Sequence, residues 1–324
     1  MLRFKIKSLG GIALLSALFL SCTQSVPATD REEIKASSII KMLNKEKEVN
    51  LTNKIIVGDL DFSKVEFNAV VHSSLVQSVI KSPVSFLNCQ FTGKVYCTSN
   101  VEGITYQSVF LQNLIFNICE FDNVVDFQSS TVFGNVSFAG SQFKEQALFN
   151  SFYSHAKASY FGQIVVDKDF SMQDALFLGS CDFFKAHFKS NANFQGSRFD
   201  GAFIFNSVQC DLRSDFSKVR FNNNCAFNYT VFTGIARFNQ LSVLGLADFL
   251  QTKFANDAFF TNCLFYDVCK FNEAKIASAF DFTSTSFYRS APILDNIEMA
   301  DQKQFKAGRV STSVDFVLPL MNEK

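Results

Sequence analysis

The chain has 324 residues, with 30 basic and 30 acidic side chains, 41 phenylalanines and no tryptophan. Without the stretch from Met1 to Ser21, which holds Arg3, Lys5 and Lys7, the balance is 27 basic to 30 acidic, a net −3. That is too weak for the electrostatic footprint of a nucleic-acid binder and too weak for an acidic decoy of one. An excess of one aromatic residue on this scale points to a single structural slot filled many times.

Residues 1–21 read as a removable leader. Arg3, Lys5 and Lys7 make a basic start, and residues 9–20 form an apolar core too short for a comfortable membrane span. The core ends on Phe19-Leu20-Ser21-Cys22, which resembles the lipobox of bacterial lipoproteins, with Phe19 where that family usually has Leu. The resemblance implies that Cys22 becomes the lipidated first residue of the mature chain, carrying palmitate and tying it to a membrane of the bacterial cell envelope. The protein would then face the periplasm or the cell surface. A plain cleaved signal with a coincidental Cys is the alternative. Residues 22–30 are polar and contain Pro27, the composition of a tether.

Residues 31–54 are expected to form an N-terminal cap. A helix over residues 31–47 would be capped by Thr29 or Asp30, carry Glu32 and Glu33 in its first turn, and bury Ile34, Ile39, Ile40 and Leu43. Strand character follows, with Leu51, Ile55, Val57, Leu60 and Phe62 keeping period two. The helix would cover the first coil of what comes next and block an open strand edge.

From residue 183 Phe recurs at alternating steps of five and six: Phe183, Phe188, Phe194, Phe199, Phe205 and onward to Phe287, with Cys210, Val243 and Ile276 on the three missing beats. Neither step matches a 3.6-residue helical period. Small residues dominate the position two before each beat, for example Ala186, Ala192, Ser197, Cys225, Thr230 and Ala258. In an extended segment i and i−2 share a face, so each beat delivers one small and one large side chain inward. Gly179, Gly196 and Gly234 are expected in the intervening turns at positive φ.

Four beats, about 22 residues, make one coil of a four-sided solenoid. Phe183, Phe205, Phe227, Phe249 and Phe271 then form one core ladder, and Phe194, Phe216, Phe238, Phe260 and Phe282 a second. At about 4.8 Å per coil each ring meets the ring above it. Earlier in the chain the beat is looser. Phe116, Phe121, Phe127, Phe133, Phe138, Phe143 and Phe149 imply an extra residue near Thr131, and Phe161, Phe170 and Phe177 further slips. Residues 69–83 and 95–110 lack the signal and predict insertions, bulges or bent loops. The repeat is placed over residues 55–288, and residues 289–324 are read as an irregular C-terminal cap, with a short helix over 295–306 and an extended stretch over 310–318.

Segments such as Ala192-Asn193-Phe194-Gln195-Gly196, Ser197-Arg198-Phe199-Asp200-Gly201 and Ala247-Asp248-Phe249-Leu250-Gln251 resemble the pentapeptide repeat, in a Phe-rich variant with an extra residue at every second repeat. The resemblance covers about 70 percent of the chain. It implies a right-handed quadrilateral parallel β-helix and brings no common catalytic residues. Some cytoplasmic members of that family mimic DNA and inhibit type II topoisomerases. The near-neutral charge and the export leader argue against that role here.

Chemistry-bearing motifs are sparse. Eight Cys follow Cys22 with no CxxC pair, so no zinc site is expected. Cys181, Cys225 and Cys269 share an inward column two coils apart, about 9.6 Å and beyond disulfide reach. Cys97 and Cys119 stand one repeat period apart, so stacking could permit a bridge in an oxidising compartment. His72, His155 and His187 are scattered. Asp59/Asp61 and Asp167/Asp169 could bind a cation or serve a polysaccharide lyase, but acidic turn residues are common. Asn222-Asn223-Asn224 reads as turn chemistry. Residues 99–112 and 150–160 break the beat with exposed-type Tyr, as binding loops on solenoids do.

The expected function is therefore a non-catalytic, membrane-anchored scaffold outside the cytoplasm, offering flat faces to a protein or glycan, without cofactor, metal or nucleic acid. The alternatives are a polysaccharide-acting enzyme and, third, a topoisomerase-inhibiting DNA mimic. Two carboxylates clustered with a Lys or Arg in an outward groove would favour the enzyme.

Overall fold

The computed structural model describes residues 31–300 and 305–310. Cys22, the leader, the tether and the capping pair Thr29 and Asp30 lie outside the described residues. The chain winds as a parallel β-solenoid whose four walls hold 10, 12, 11 and 13 strands. Each coil visits the walls in a fixed order. Strands Val49–Thr52 and Leu60–Asp61 open the first and third walls, and Glu32–Lys35 followed by Lys54–Val57 opens the second. The fourth wall opens on the hairpin described below.

From Val109 to Phe287 most strand partners lie one regular coil apart, as in Phe199↔Phe221 and Ala192↔Ser214. Phe183, Phe205, Phe227, Phe249 and Phe271 line the core behind the first wall, and Phe194, Phe216, Phe238, Phe260 and Phe282 behind the third, all fully buried. In the third-wall ladder the rings pile nearly parallel, with centroids 4.7, 5.1, 4.5 and 5.1 Å apart. The two ladders meet edge to face, Phe227 on Phe238 at 88° and Phe249 on Phe260 at 87°. Offset stacks along the axis and T-contacts across it are the two arrangements the ring quadrupole favours. Each such burial stabilises by roughly 1.5–3 kcal/mol.

The alternation of five and six has a backbone cause. Each five-residue step turns a corner through one left-handed residue. Lys185 (φ 57°), Ser207 (57°) and Tyr229 (61°) do so between the first and second walls. Gly196 (73°), Lys218 (60°) and Gln240 (59°) do so between the third and fourth. The small residue that follows each such corner often carries a hydroxyl that caps a carbonyl. Thr252 Oγ1 donates to the Phe227 carbonyl at 2.8 Å, and Ser141 Oγ to that of Phe116 at 2.7 Å.

Gly179 and Gly234 play a different part from the one expected. They lack positive φ and sit at six-residue corners, where successive coils touch. A Cβ on Gly179 would lie 2.2 Å from the Lys157 carbonyl oxygen, and one on Gly234 2.5 Å from Leu212 backbone. Close backbone approach, with no conformational demand, selects glycine at these two positions.

Several boundaries shift. Residues 32–35 are a strand, Glu32–Lys35, paired in parallel with Lys54–Val57 on the second wall, so the helix (α1, Ala36–Leu43) is shorter than expected. It still caps the solenoid, burying Ala36, Ile39 and Leu43 over the first coil. In that coil Ile56 points inward and its neighbours Ile55 and Val57 do not, because a corner at Asn53 (φ 57°) resets the alternation.

No extra residue occurs near Thr131. Val132 holds that beat, fully buried, and Phe133 lies outside, 47 % exposed. The slips at Phe161, Phe170 and Phe177 reduce to a single insertion between the Tyr153–Ser154 and Ala158–Tyr160 strands, across which partners stand one position further apart, as in Ala147↔Phe170.

The coil also continues beyond Tyr288. Leu294 and Ile297 are buried, and Glu298–Met299, Phe305–Lys306 and Arg309–Val310 extend three walls. Residues 295–300 are coil and strand, with no helix among them. The expected extended stretch at 311–318 lies outside the described residues.

The insertions expected within residues 69–83 and 95–110 are two hairpins on the fourth wall, whereas Val95–Tyr96 is a regular third-wall strand. Asn68–His72 pairs antiparallel with Leu75–Ile80. Thr98–Val101 pairs antiparallel with Ile104–Phe110. The two long strands pair in parallel from Leu75↔Thr105 to Ile80↔Phe110. They rest on a 3-10 turn, Phe62–Lys64, where the Ser63 and Ser99 hydroxyls are hydrogen-bonded at 2.7 Å and Ser78 Oγ donates to the Ser63 carbonyl at 2.7 Å.

Candidate binding face

Alternation along each strand leaves one outward residue per coil and a second just beyond it. The four walls therefore present four ladders of different chemistry. The second wall is ionic: Lys144 Nζ pairs with Glu120 and Asp122, Lys189 with Asp167 at 2.7 Å, and His187 Nε2 meets Asp211 at 2.7 Å. On the third wall the column just beyond the strands is a run of amides and hydroxyls, with Asn150 donating to Gln128 at 3.0 Å and Thr261 to Asn239 at 3.0 Å, while the strands themselves turn Leu148, Asn193, Arg237 and Phe259 outward. Asp215 points outward there but is covered by Arg213. The first wall mixes Asp182, Asp248 and Lys270 with Ile115, Phe184 and Ile204.

The fourth wall differs. The residue after each inward beat forms one column: Leu111, Phe133, His155, Leu178, Asp200, Asn222, Leu244, Tyr266 and Tyr288. Six of these are large apolar or aromatic side chains exposed by 38–47 %. At the upper end Phe133 stacks on His155 (4.2 Å, 17°), which contacts Tyr153 at 4.1 Å. At the lower end Tyr266 and Tyr288 stack at 4.7 Å and 5°. The exposed apolar groups fall in two clusters, Leu111 to Leu178 and Leu244 to Tyr288, separated by Asp200 and Asn222. Exposed apolar clusters rimmed by polar residues are the kind of surface that partners bind.

The structure brings together two segments that the sequence kept apart. Residues 99–112 form the second hairpin, and residues 150–160 carry Tyr153 and the one-residue insertion. They lie two coils apart on the same wall, since Val109 pairs with Thr131 and Thr131 with Tyr153. Tyr160, by contrast, is on the first wall. Leu244, Leu264, Tyr266 and Tyr288 were missed as functional candidates from sequence. The signal that could have found them is the sequence tabulated coil by coil, one place after each fourth-wall beat.

The candidate chemical groups resolve into structural roles. Asp59 accepts from the Lys94 amide at 2.9 Å and Asp61 from that of Ser63 at 3.0 Å. Asp169 accepts from Ser190 Oγ at 2.7 Å. These carboxylates close turns. His72 lies in the first hairpin, far in sequence and coil from His187.

Glu120, Asp122 and Lys144 do gather two carboxylates around one amine, the cluster set out as favouring an enzyme. Hydrogen bonds that Lys144 donates to Asp122 and then Glu120 push its ammonium above its usual range, so it stays protonated and is no free base near neutral pH. Among the described residues no group of three His, Cys, Asp or Glu could hold a metal ion.

Cys97 and Cys119 do not stack. Cys97 follows the third-wall pair Tyr96↔Asp126, whereas Cys119 precedes the second-wall pair Glu120↔Gln142. The hairpin insertion lengthens that coil and moves the two to different walls, so they form no bridge with each other. Cys181, Cys225 and Cys269 share one column, as expected, separated by Phe203 and Ala247, and are free.

Asn223 and Asn224 close turns, as their type suggests, but Asn222 faces the fourth wall and donates to Asp200 at 2.6 Å. No described helix is long and apolar enough to cross a membrane.

The class defined by fold and surface is a four-walled parallel β-solenoid with one apolar, aromatic wall. Comparison with family models, characterised proteins and solved structures finds no match.

Proposed function

We propose that the chain is a lipid-anchored pentapeptide-repeat-like scaffold of the bacterial cell envelope, held at a membrane through Cys22, whose fourth wall binds a protein or glycan without catalysing a reaction. The column from Leu111 to Tyr288 carries this reading, because three walls are charged, amide-rich or mixed while this one keeps six large apolar groups in water. The Asn68–His72 edge at its upper end, with Val70 74 % exposed, extends the same surface.

Two measurements test it. Metabolic labelling with a fatty-acid precursor should mark the wild-type chain and not Cys22→Ser. Capture of envelope material by the purified chain should fall with Phe133→Ser and Tyr288→Ser together and stay unchanged with Lys189→Ser on the second wall. Equal labelling of Cys22→Ser would remove the anchor, and equal capture by all variants would remove the binding face.

A polysaccharide-acting enzyme finds its one favourable observation in the Glu120–Lys144–Asp122 cluster. The firm protonation of Lys144 counts against it. A DNA mimic lacks the acidic excess such a surface requires.

A further inference from the structure

The lower half of the fourth wall holds a groove of about 460 Å³. Its lining is a grid of three columns over three coils: Lys218 and Gln240 at the left-handed corner, Arg220, Ser242 and Leu264 on the strands, Asn222, Leu244 and Tyr266 beyond. The depression has a simple origin. Ser242, with the shortest of these side chains, stands at the centre of a ring of long ones.

The charges around this groove are unbalanced. Arg198, one coil above Arg220, is neutralised by Asp200 through two bonds of 2.7 and 2.9 Å. Asp200 also accepts from Asn222. Lys218 and Arg220 are both exposed and join no ion pair among the described residues. Below them the same columns continue as Asn262, Ser284, Ser286 and Tyr288, with no carboxylate. The groove thus has a cationic upper rim, an amide and hydroxyl middle (Asn222, Gln240, Ser242) and a lower shelf made by Leu264 and the stacked pair Tyr266–Tyr288.

We propose that this groove binds a carboxylate-bearing saccharide. A guanidinium fork and an ammonium side by side match a carboxylate in charge and hydrogen-bonding geometry. Amides and a hydroxyl match ring hydroxyls as donors and acceptors. The electron-rich face of Tyr266 suits the C–H edge of a pyranose ring. Coils about 4.8 Å apart set the successive rows of the groove at close to the width of one sugar. The inference rests on the fourth wall being the binding face and names the chemistry of the partner.

The test titrates the full chain, purified in detergent, with oligogalacturonate and with the same oligomer reduced to its neutral form, followed by calorimetry. The acidic oligomer should bind at least tenfold more tightly than the neutral one, and more weakly as salt rises. Lys218→Gln with Arg220→Gln should cost at least tenfold for the acidic oligomer alone. Tyr266→Ala should weaken it too, and Ser242→Gln should fill the groove and abolish binding with both cations in place. Circular dichroism melting checks that each variant is folded.

Equal affinity for the two oligomers, or full binding by Lys218→Gln/Arg220→Gln, would overturn the proposal. So would an oligoglutamate of the same charge binding as tightly as the sugar acid. If no saccharide binds while capture still depends on Phe133 and Tyr288, the saccharide assignment fails and the broader reading survives. If capture is indifferent to those residues, the broader reading fails.

Discussion

The ring of Phe203 lies 5.7 Å from that of Phe205 and nearly parallel to it, at 12°. The two are i and i+2 on one strand and both point inward, so Phe203 occupies a slot that smaller residues fill in most other coils. The ladder bends to accept it. Phe205 is tilted by 55° against Phe183 and by 53° against Phe227, whereas Phe227 and Phe249 stack at 3°. Room comes from the coils above and below, where Phe203 meets Cys181 and Cys225. Phe203→Ala should cost about 3–5 kcal/mol, and Cys225→Phe should be destabilising by overpacking. Urea denaturation checks both; a neutral Cys225→Phe would contradict this packing.

The two glycine roles predict an order of damage. Gly196 needs its left-handed conformation, and an added Cβ would meet Asp174 Oδ1 at 2.1 Å, the end of a side chain that can move. Gly179 would press its Cβ on the Lys157 carbonyl, which belongs to the backbone of the coil above. Gly196→Ala should therefore cost about 1–2 kcal/mol and Gly179→Ala more, read as lower melting temperatures. The opposite order would contradict the assignment. At Ile118, an exposed β-branched residue held at φ 55°, replacement by Asn should gain up to about 1 kcal/mol.

Eight buried thiols make the fold sensitive to alkali. Burial pushes Cys210 and Cys263 up to about 12 from a usual 9.0. Burial, reinforced by Asp61, lifts Tyr96 from 10.0 to about 12. A folded value above the unfolded one means that the folded chain keeps a proton the unfolded chain has released. The contribution of these groups to stability should be constant below about pH 9 and fall between about 9 and 12, by up to roughly 1.4 kcal/mol per pH unit for each such group. Cys210→Ala should shallow that fall. The folded protein should resist a maleimide at pH 7.5 at all eight positions and react at all of them in urea; rapid labelling of folded protein would contradict the burial.

The coil, its length and both Phe ladders were legible because one side-chain slot repeats with little variation. The column of Cys181, Cys225 and Cys269 followed from the same count. Reading failed where a corner or an insertion reset the phase. Phe133 took the beat from Val132 because Phe was the marker, although a β-branched residue fills the same inward slot. The strand at residues 32–35 was hidden in a helical pattern, since its partner, Lys54–Val57, lies a whole coil further on and outside any local window. The tail looked irregular because Leu294 and Ile297 replace Phe in the last coil. The candidate binding face was the least legible part. Its residues alternate with the beat and share no residue type, so only the wound chain gathers Leu244, Leu264 and Tyr266 around Ser242.

A photo-crosslinking amino acid placed singly at Phe133, Leu244, His187 or Asn193, in cells expressing the full chain, tests the central claim most directly. Phe133 and Leu244 lie on the fourth wall, His187 on the second and Asn193 on the third. Irradiation should yield discrete adducts to envelope protein or glycan from Phe133 and Leu244, and none from His187 or Asn193. Adducts from all four, or only from the second and third walls, would contradict the assignment of the fourth wall as the binding face.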